Sequence, residues 1–276
     1  MSPVDYHNHT WLCHHARGGI EQYLPRAAAL GLQELGFAEH SHWMIQVDPR
    51  RRSAPTRTEM EIYLGWMKEW RAKPVDQTMG VRLRFGLEAD WVPRELRTAR
   101  SFIADHPFDH VLGSVHHLRD PRSGEWRLVW DLTRNDDARE WWTMYFHAVR
   151  DLALSGLCDI IAHIDVPARA RVPLPTGHLQ MFEAILPDIV ASGAAIEINT
   201  SGRDHMHGVF FPSKPILRLC VEAGVPVTLG SDGHAPWHLG RYRGLAMQWL
   251  RECGASELAA FEMRRRRMIP LPGEAP

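Results

Sequence analysis

A chain of 276 residues is long enough for one large α/β barrel or two small domains. With 45% hydrophobic and 24% charged residues it has the composition of a globular protein with a substantial core. A formal net charge of -1 argues against broad electrostatic capture of nucleic acid or an anionic membrane, while leaving room for a local basic pocket. Cys13, Cys158, Cys220 and Cys253 show no CxxC spacing, which predicts reduced thiols in a cytoplasmic protein. Met1 to Asp5 lacks a basic segment followed by an apolar run, so no signal peptide is expected. No stretch reaches the ~20 apolar residues of a membrane span. The outlying count is 17 histidines.

There is no repeat, low-complexity tract or Gly/Ser linker. Short apolar segments alternate with longer amphipathic ones, which predicts parallel strands joined by crossover helices. The strand segments are 4–6, 34–38, 81–87, 110–114, 159–162, 194–198 and 226–230. The helical segments are 19–31, 58–72, 93–105, 135–156, 177–192, 213–223 and 239–253, and Pro187 within the fifth predicts a kink. In order, the strands lead into His7/His9, His40, Glu88, His116, His163, Asn199/Thr200 and Asp232/His234. A barrel of parallel strands gathers its C-terminal strand ends on one face, where active sites sit, so these distant positions are expected to converge.

The residue types point to metal. His7 and His9 sit at i and i+2 in an extended segment, so both imidazoles face one side. Cys13-His14-His15 follows, and spacing alone leaves either histidine as the ligand. Glu88 comes after an apolar strand, where a carboxylate is costly unless paired or metal-bound. A bridging carboxylate there would hold two cations a few Å apart. The alternative for Glu88 is an exposed helix start with Asp90 as N-cap. Strand alternation turns one of His116 and His117 inward. His163 and the pair Asp232/His234 complete the set. Counting one histidine from each adjacent pair gives seven histidines and two carboxylates. That is too many donors for one tetrahedral zinc and suits two or three ions such as Zn, Fe or Mn.

The series HNHT, CHHARGG, AEHS, GLEAD, GSVHH, AHID, EINTSG and GSDGH, from residue 5 to about 245, resembles that of the PHP (polymerase and histidinol phosphatase) family. GSVHH, EINTSG and FPSKPIL resemble the stand-alone histidinol-phosphate phosphatases in particular. The resemblance implies an α/β fold: a distorted (β/α)7 barrel, one domain over 1–276, with the metal site at the C-terminal strand ends. A flexible tail is expected over the last ~10 residues. It implies three divalent metal ions. The first takes His7, His9, Glu88 and Asp232, the second Glu88, His116 and His163, and the third His15, His40 and His234. His14 stands where the family commonly has proline, and Arg203 where an apolar residue is usual, which bears on the substrate more than on the chemistry.

The implied activity is hydrolysis of a phosphomonoester, histidinol phosphate, in histidine biosynthesis, with Glu88, Asp232 and His234 as catalytic residues. The alternative is a PHP phosphoesterase acting on nucleotides or other phosphate esters. An arginine fork would match the phosphate. Arg203 and Arg169 are preferred for this over Arg17, Arg119 and Arg171. Asp90, Trp91, Asp165 and Asp204 are available to the substrate's amine and imidazole. The expected partner is a small phosphorylated molecule, with neither nucleic acid nor membrane. Accordingly, the basic run 263–267 is read as a solvated helix terminus.

Overall fold

The computed structural model describes residues 3–48, 53–133, 135–170, 174–205 and 208–273. The strands β1 (Val4–Asp5), β2 (Glu34–His40), β3 (Arg82–Asp90) and β4 (His110–Ser114) are followed by a small hairpin, β5 (His117–Arg119) and β6 (Trp126–Leu128). Then come β7 (Ile160–Ile161), β8 (Ala195–Asn199), β9 (Val227–Gly230) and a second hairpin, β10 (Glu257–Glu262) and β11 (Arg265–Pro270). Strands β1, β2, β3, β4, β7, β8 and β9 form one parallel sheet in chain order. Its two ends meet beyond the strands. Tyr6 N donates to Leu229 O (3.1 Å), Gly233 N to His7 O (3.0 Å) and His9 N to Gly233 O (2.8 Å). The result is the expected seven-stranded parallel barrel.

Among the described residues seven α-helices wrap it: α1 (Ile20–Ala29), α2 (Arg57–Arg71), α3 (Leu96–Ala104), α4 (Ala138–Leu154), α5 (His178–Ser192), α6 (Lys214–Glu222) and α7 (Arg243–Glu252). Helix α2 illustrates how the sequence specifies them. Thr56 and Glu59 cap its start reciprocally, and Met60, Tyr63, Leu64, Met67 and Trp70 bury one stripe. Pro187 lies inside α5, which continues through it as one helix.

Three departures from the sequence reading have physical causes. Strand β3 runs on through Glu88 to Asp90, pairing Glu88 with Leu112 and Asp90 with Ser114. Asp90 is therefore a strand residue rather than the cap of a helix. The run 263–267 is not a helix end. Met263 and Arg264, both at positive φ, turn the β10–β11 hairpin without the Asn-Gly pair that usually marks such a turn. Finally, the tail expected over the last ten or so residues is strand as far as Pro270, which pairs with Glu257.

The β10–β11 hairpin packs near the N-terminal strand ends. Phe261 N donates to the Tyr6 hydroxyl (3.1 Å), which donates to Glu34 (2.5 Å). Glu34, buried, also receives Arg84 (3.0 Å), Arg82 (3.3 Å) and Arg267 (2.5 Å). Arg264 pairs with Asp159 and Arg266 donates to Gly193 O. Most of the basic run is thus engaged within the molecule. All four cysteines are free and buried, and no helix among the described residues is long and apolar enough to cross a membrane.

Candidate metal centre

At the opposite end of the barrel, Glu88 is the hub. Its Oε2 lies 2.8 Å from His40 Nδ1, 3.3 Å from His7 Nε2 and 3.4 Å from His9 Nε2. Its Oε1 lies 3.1 Å from His163 Nε2 and 3.3 Å from His116 Nε2, and accepts from Ser114 (2.6 Å). Asp232 Oδ1 stands 3.8 Å from His7 Nε2 and 3.6 Å from His9 Nε2. His15 and His234 meet through their Nε2 atoms at 2.8 Å. The structure therefore gathers all nine positions singled out in the sequence. It also resolves the adjacent pairs. His14 turns outward to Glu59 (3.1 Å), and His117 faces Asp48 (3.5 Å).

The donors suit cations. His7 Nε2, His9 Nε2 and Glu88 Oε2 are buried without a hydrogen-bond partner, although they face one another. Such lone-pair convergence is costly in a dry site unless a positive charge joins it. Three groups, His7/His9/Glu88, His40/Glu88/His116 and His9/His40/His234, each have ligand atoms within 4.8 Å of one another. Cys13 forms a similar group with His15 and His234. Burial pushes its thiol well above the usual range, which favours a packing role over a thiolate ligand.

The sequence reading gave no supporting role to the residues behind the donors, although it named Asp90 and Asn199 for other ones. His7 Nδ1 donates to Glu197 (2.7 Å) and His116 Nδ1 to Asp90 (2.6 Å). Glu39 lies 3.9 Å from His9 Nδ1 and accepts from Thr10 N (2.6 Å). Asn199 (3.3 Å) and Ser201 (3.1 Å) donate to Asp232 Oδ2. Arg241 donates to the carbonyls of Ser231 and Asp232 (both 2.9 Å), bracing the loop in which Asp232 takes φ +48°. A signal for Glu197 was present: it stands two residues before Asn199, on the same face of β8.

Burial and charge set the protonation pattern. Burial opposes ionisation of Glu88, but His40, His7 and His116 hold its carboxyl well below the usual range. Burial alone would lower His116, yet Glu88 and Asp90 push it up to about 10. Burial, followed by repulsion from His234 and His40, draws His15 down to about 3. Burial brings His234 to about 4 against the pull of Asp232.

The cluster floors a cavity of about 620 Å³ whose walls include Met44, Leu128, Trp130, Arg169, Asp204, His205 and Arg241. The hairpin β5–β6, unforeseen in the sequence, brings Leu128 here. Arg169 places its guanidinium over Trp130. Arg203 does not line the cavity: it is exposed, donates to Gly208 O (3.2 Å) and rests over Tyr242. Arg17 and Arg119 lie outside the lining as well, and Arg171 falls outside the described residues. Of the four residues weighed for the amine and imidazole, only Asp204 reaches the cavity, where it pairs with Arg241 and accepts from Tyr242 (2.7 Å). Asp90 is buried behind His116, and Asp165 is buried and accepts from Ser213 N (2.8 Å).

Comparison with known proteins agrees with this architecture. The chain is 30% identical over 275 residues to a Deinococcus radiodurans protein named "Probable histidinol-phosphatase", covering 96% of this chain and 98% of the relative. A Schizosaccharomyces pombe protein of the same name is 25% identical over 276 residues, covering 94% and 90%. The fold matches a crystal structure of histidinol phosphate phosphatase from Lactococcus lactis with zinc, L-histidinol and phosphate. There the TM-score is 0.77 at 23% identity, over 96% of this chain and 98% of that one. The family model described as PHP domain matches residues 5–201. With that match spanning most of the barrel, the chain belongs to the PHP domain family.

Proposed function

We propose that the chain is a divalent-metal-dependent phosphomonoesterase that converts histidinol phosphate and water to histidinol and phosphate. The observation that carries this is Glu88, one buried carboxylate whose two oxygens face separate sets of histidines beneath an open cavity. The names of the relatives support the substrate. His7, His9, Glu88 and Asp232 would hold one cation. Glu88, His116 and His163 would hold a second, and His15, His40 and His234 a third. This nitrogen and oxygen donor set suits Zn, Fe or Mn. When bound, such cations polarise the phosphoryl group and supply an activated water.

The chain's own residues do the rest. Glu88 and Asp232 present ionised oxygens at the cavity floor, both held well below the usual carboxylate range by neighbouring histidines against burial. His234, neutral near pH 7, stands beside them. Arg169 offers a planar cationic fork to the phosphate. Asp204, an exposed acidic residue of the cavity wall, is suited to a cationic substrate amine. Trp130 and Leu128 contribute apolar surface that excludes water. Purified enzyme loaded with metal is to be assayed on histidinol phosphate, AMP and phosphotyrosine. The reading requires the highest kcat/KM for histidinol phosphate. A preference for AMP would reassign the substrate to nucleotides, and no turnover of any ester would overturn the phosphatase reading.

A further inference from the structure

Glu197 is fully buried and does not line the cavity, so it touches neither substrate nor solvent. Its Oε1 accepts from His7 Nδ1 at 2.7 Å. Its Oε2 accepts from the His163 backbone N–H and from Asn199 Nδ2, both at 3.0 Å. The far sides of these two histidines reach opposite oxygens of Glu88: His7 Nε2 lies 3.3 Å from Oε2, and His163 Nε2 lies 3.1 Å from Oε1. One carboxylate behind the cluster therefore backs a donor in each of the two proposed cation subsites that share Glu88. We propose that Glu197 is the positioning residue that sets the geometry of both cation subsites at once, an inference that rests on the metal-centre reading.

Three features of the fold support this. His163 has φ +24°, a strained conformation for a residue with a side chain, and the Glu197 bond to its N–H helps hold it there. Room for the carboxylate comes from Gly230 on β9, where a Cβ would stand 1.9 Å from Glu197 Oε1 and 2.6 Å from the His7 Cβ. Asn199, fixed by Glu197, passes the constraint on to Asp232 (3.3 Å). Asp90 behaves differently. It backs His116 (2.6 Å), and its other bonds go to Ser41 and Trp43 rather than to a second donor histidine. A carboxylate behind a ligating imidazole fixes the tautomer and ring direction. Glu197 does this for His7 while also fixing the main chain of His163.

Glutamine keeps the shape of Glu197 but must turn an amide donor either toward the His7 N–H or toward the N–H groups of His163 and Asn199. The test is a Co²⁺ titration of the chelator-stripped protein, competed against a chromophoric chelator and followed by the Co²⁺ visible spectrum. Wild type, Glu197→Gln, Glu197→Asp and Asp90→Asn are compared, with circular dichroism to confirm folding. Glu197→Gln is expected to weaken two sites together by about 10- to 100-fold, whereas Asp90→Asn weakens one. Glu197→Asp keeps the charge but withdraws it, and is expected to fall between; it carries the test if the Gln variant does not fold. Wild-type affinities and spectrum in both Glu197 variants would overturn the proposal, as would loss at a single site. If wild type itself takes up no Co²⁺, the metal-centre reading fails first, and the proposal with it.

Discussion

The guanidinium of Arg169 lies 4.8 Å from the centre of the Trp130 ring, in the lining of the cavity that the histidine and carboxylate cluster also lines. Stacking of this kind holds the fork in place before a ligand arrives. Arg169→Ala is therefore expected to lower kcat/KM about a hundredfold for every phosphate ester tested, on the scale of one preorganised charge contact. Arg203→Ala should stay within about twofold of wild type, because surface changes away from a site cost little. Steady-state kinetics on the three esters check both. Equal losses in the two variants would refute the assignment of the phosphate contact to Arg169.

Glu88→Gln removes the charge that faces five histidines. The variant is expected to retain less metal than wild type by elemental analysis and to lose turnover by about a thousandfold or more. Wild-type metal content would show that Glu88 is not a bridging ligand.

Metal uptake should release protons. Burial alone would lower His7, but Glu197, Glu88 and Asp232 raise it well above its ordinary value, and Glu88 and Asp90 likewise raise His116 to about 10. Each must give up a proton before Nε2 can bind a cation. Apparent affinity is therefore expected to rise with pH across neutrality, up to His116 at about 10, and to weaken as pH falls. Calorimetry in buffers of different ionisation enthalpy measures the protons released. A slope of zero would count against these two residues as ligands.

Glu34 separates stability from catalysis. It neutralises Arg84, which is only 5% exposed, at the barrel end away from the cluster. Removing one partner of a buried pair costs about 3–5 kcal/mol. Arg84 keeps a second partner in Glu262 (2.6 Å), which places Glu34→Gln near the lower value, about 3 kcal/mol. Urea unfolding should show that loss while kcat of the folded enzyme stays unchanged. A fall in kcat with stability intact would contradict it.

The donor positions were legible because several parallel strands are mainly apolar runs that lead into a polar donor, as in Ile160-Ile161-Ala162-His163. Two-residue alternation gave His7 with His9. The supporting carboxylates were harder to read. Glu39 and Glu197 lie within apolar strands, where a carboxylate's direction shows only by its alternation with a known donor, as Glu197 stands two residues before Asn199 while Glu39 directly precedes His40. The two hairpins stayed hidden for another reason. Their turns, 120–125 and 263–264, carry an ordinary polar loop and a Met-Arg pair, and neither alternates strongly enough to signal a strand. Proximity to the EINTSG motif put Arg203 near the strand end but could not give its direction, and it lies outside the cavity lining, over Tyr242.

The bond between Arg267 and Glu34 spans 233 positions of sequence, and the cluster itself draws on residues from His7 to His234. Contacts so distant along the chain form late in folding, since the loop entropy must be met before they contribute. During synthesis the first histidines therefore emerge long before Asp232 and His234 can join them. An incomplete chain would present HNHT and CHH without their partners, as weak and unselective metal binders. Selective loading would then belong to the finished barrel, after β9 has docked against β1 and the last hairpin has covered the charges around Glu34.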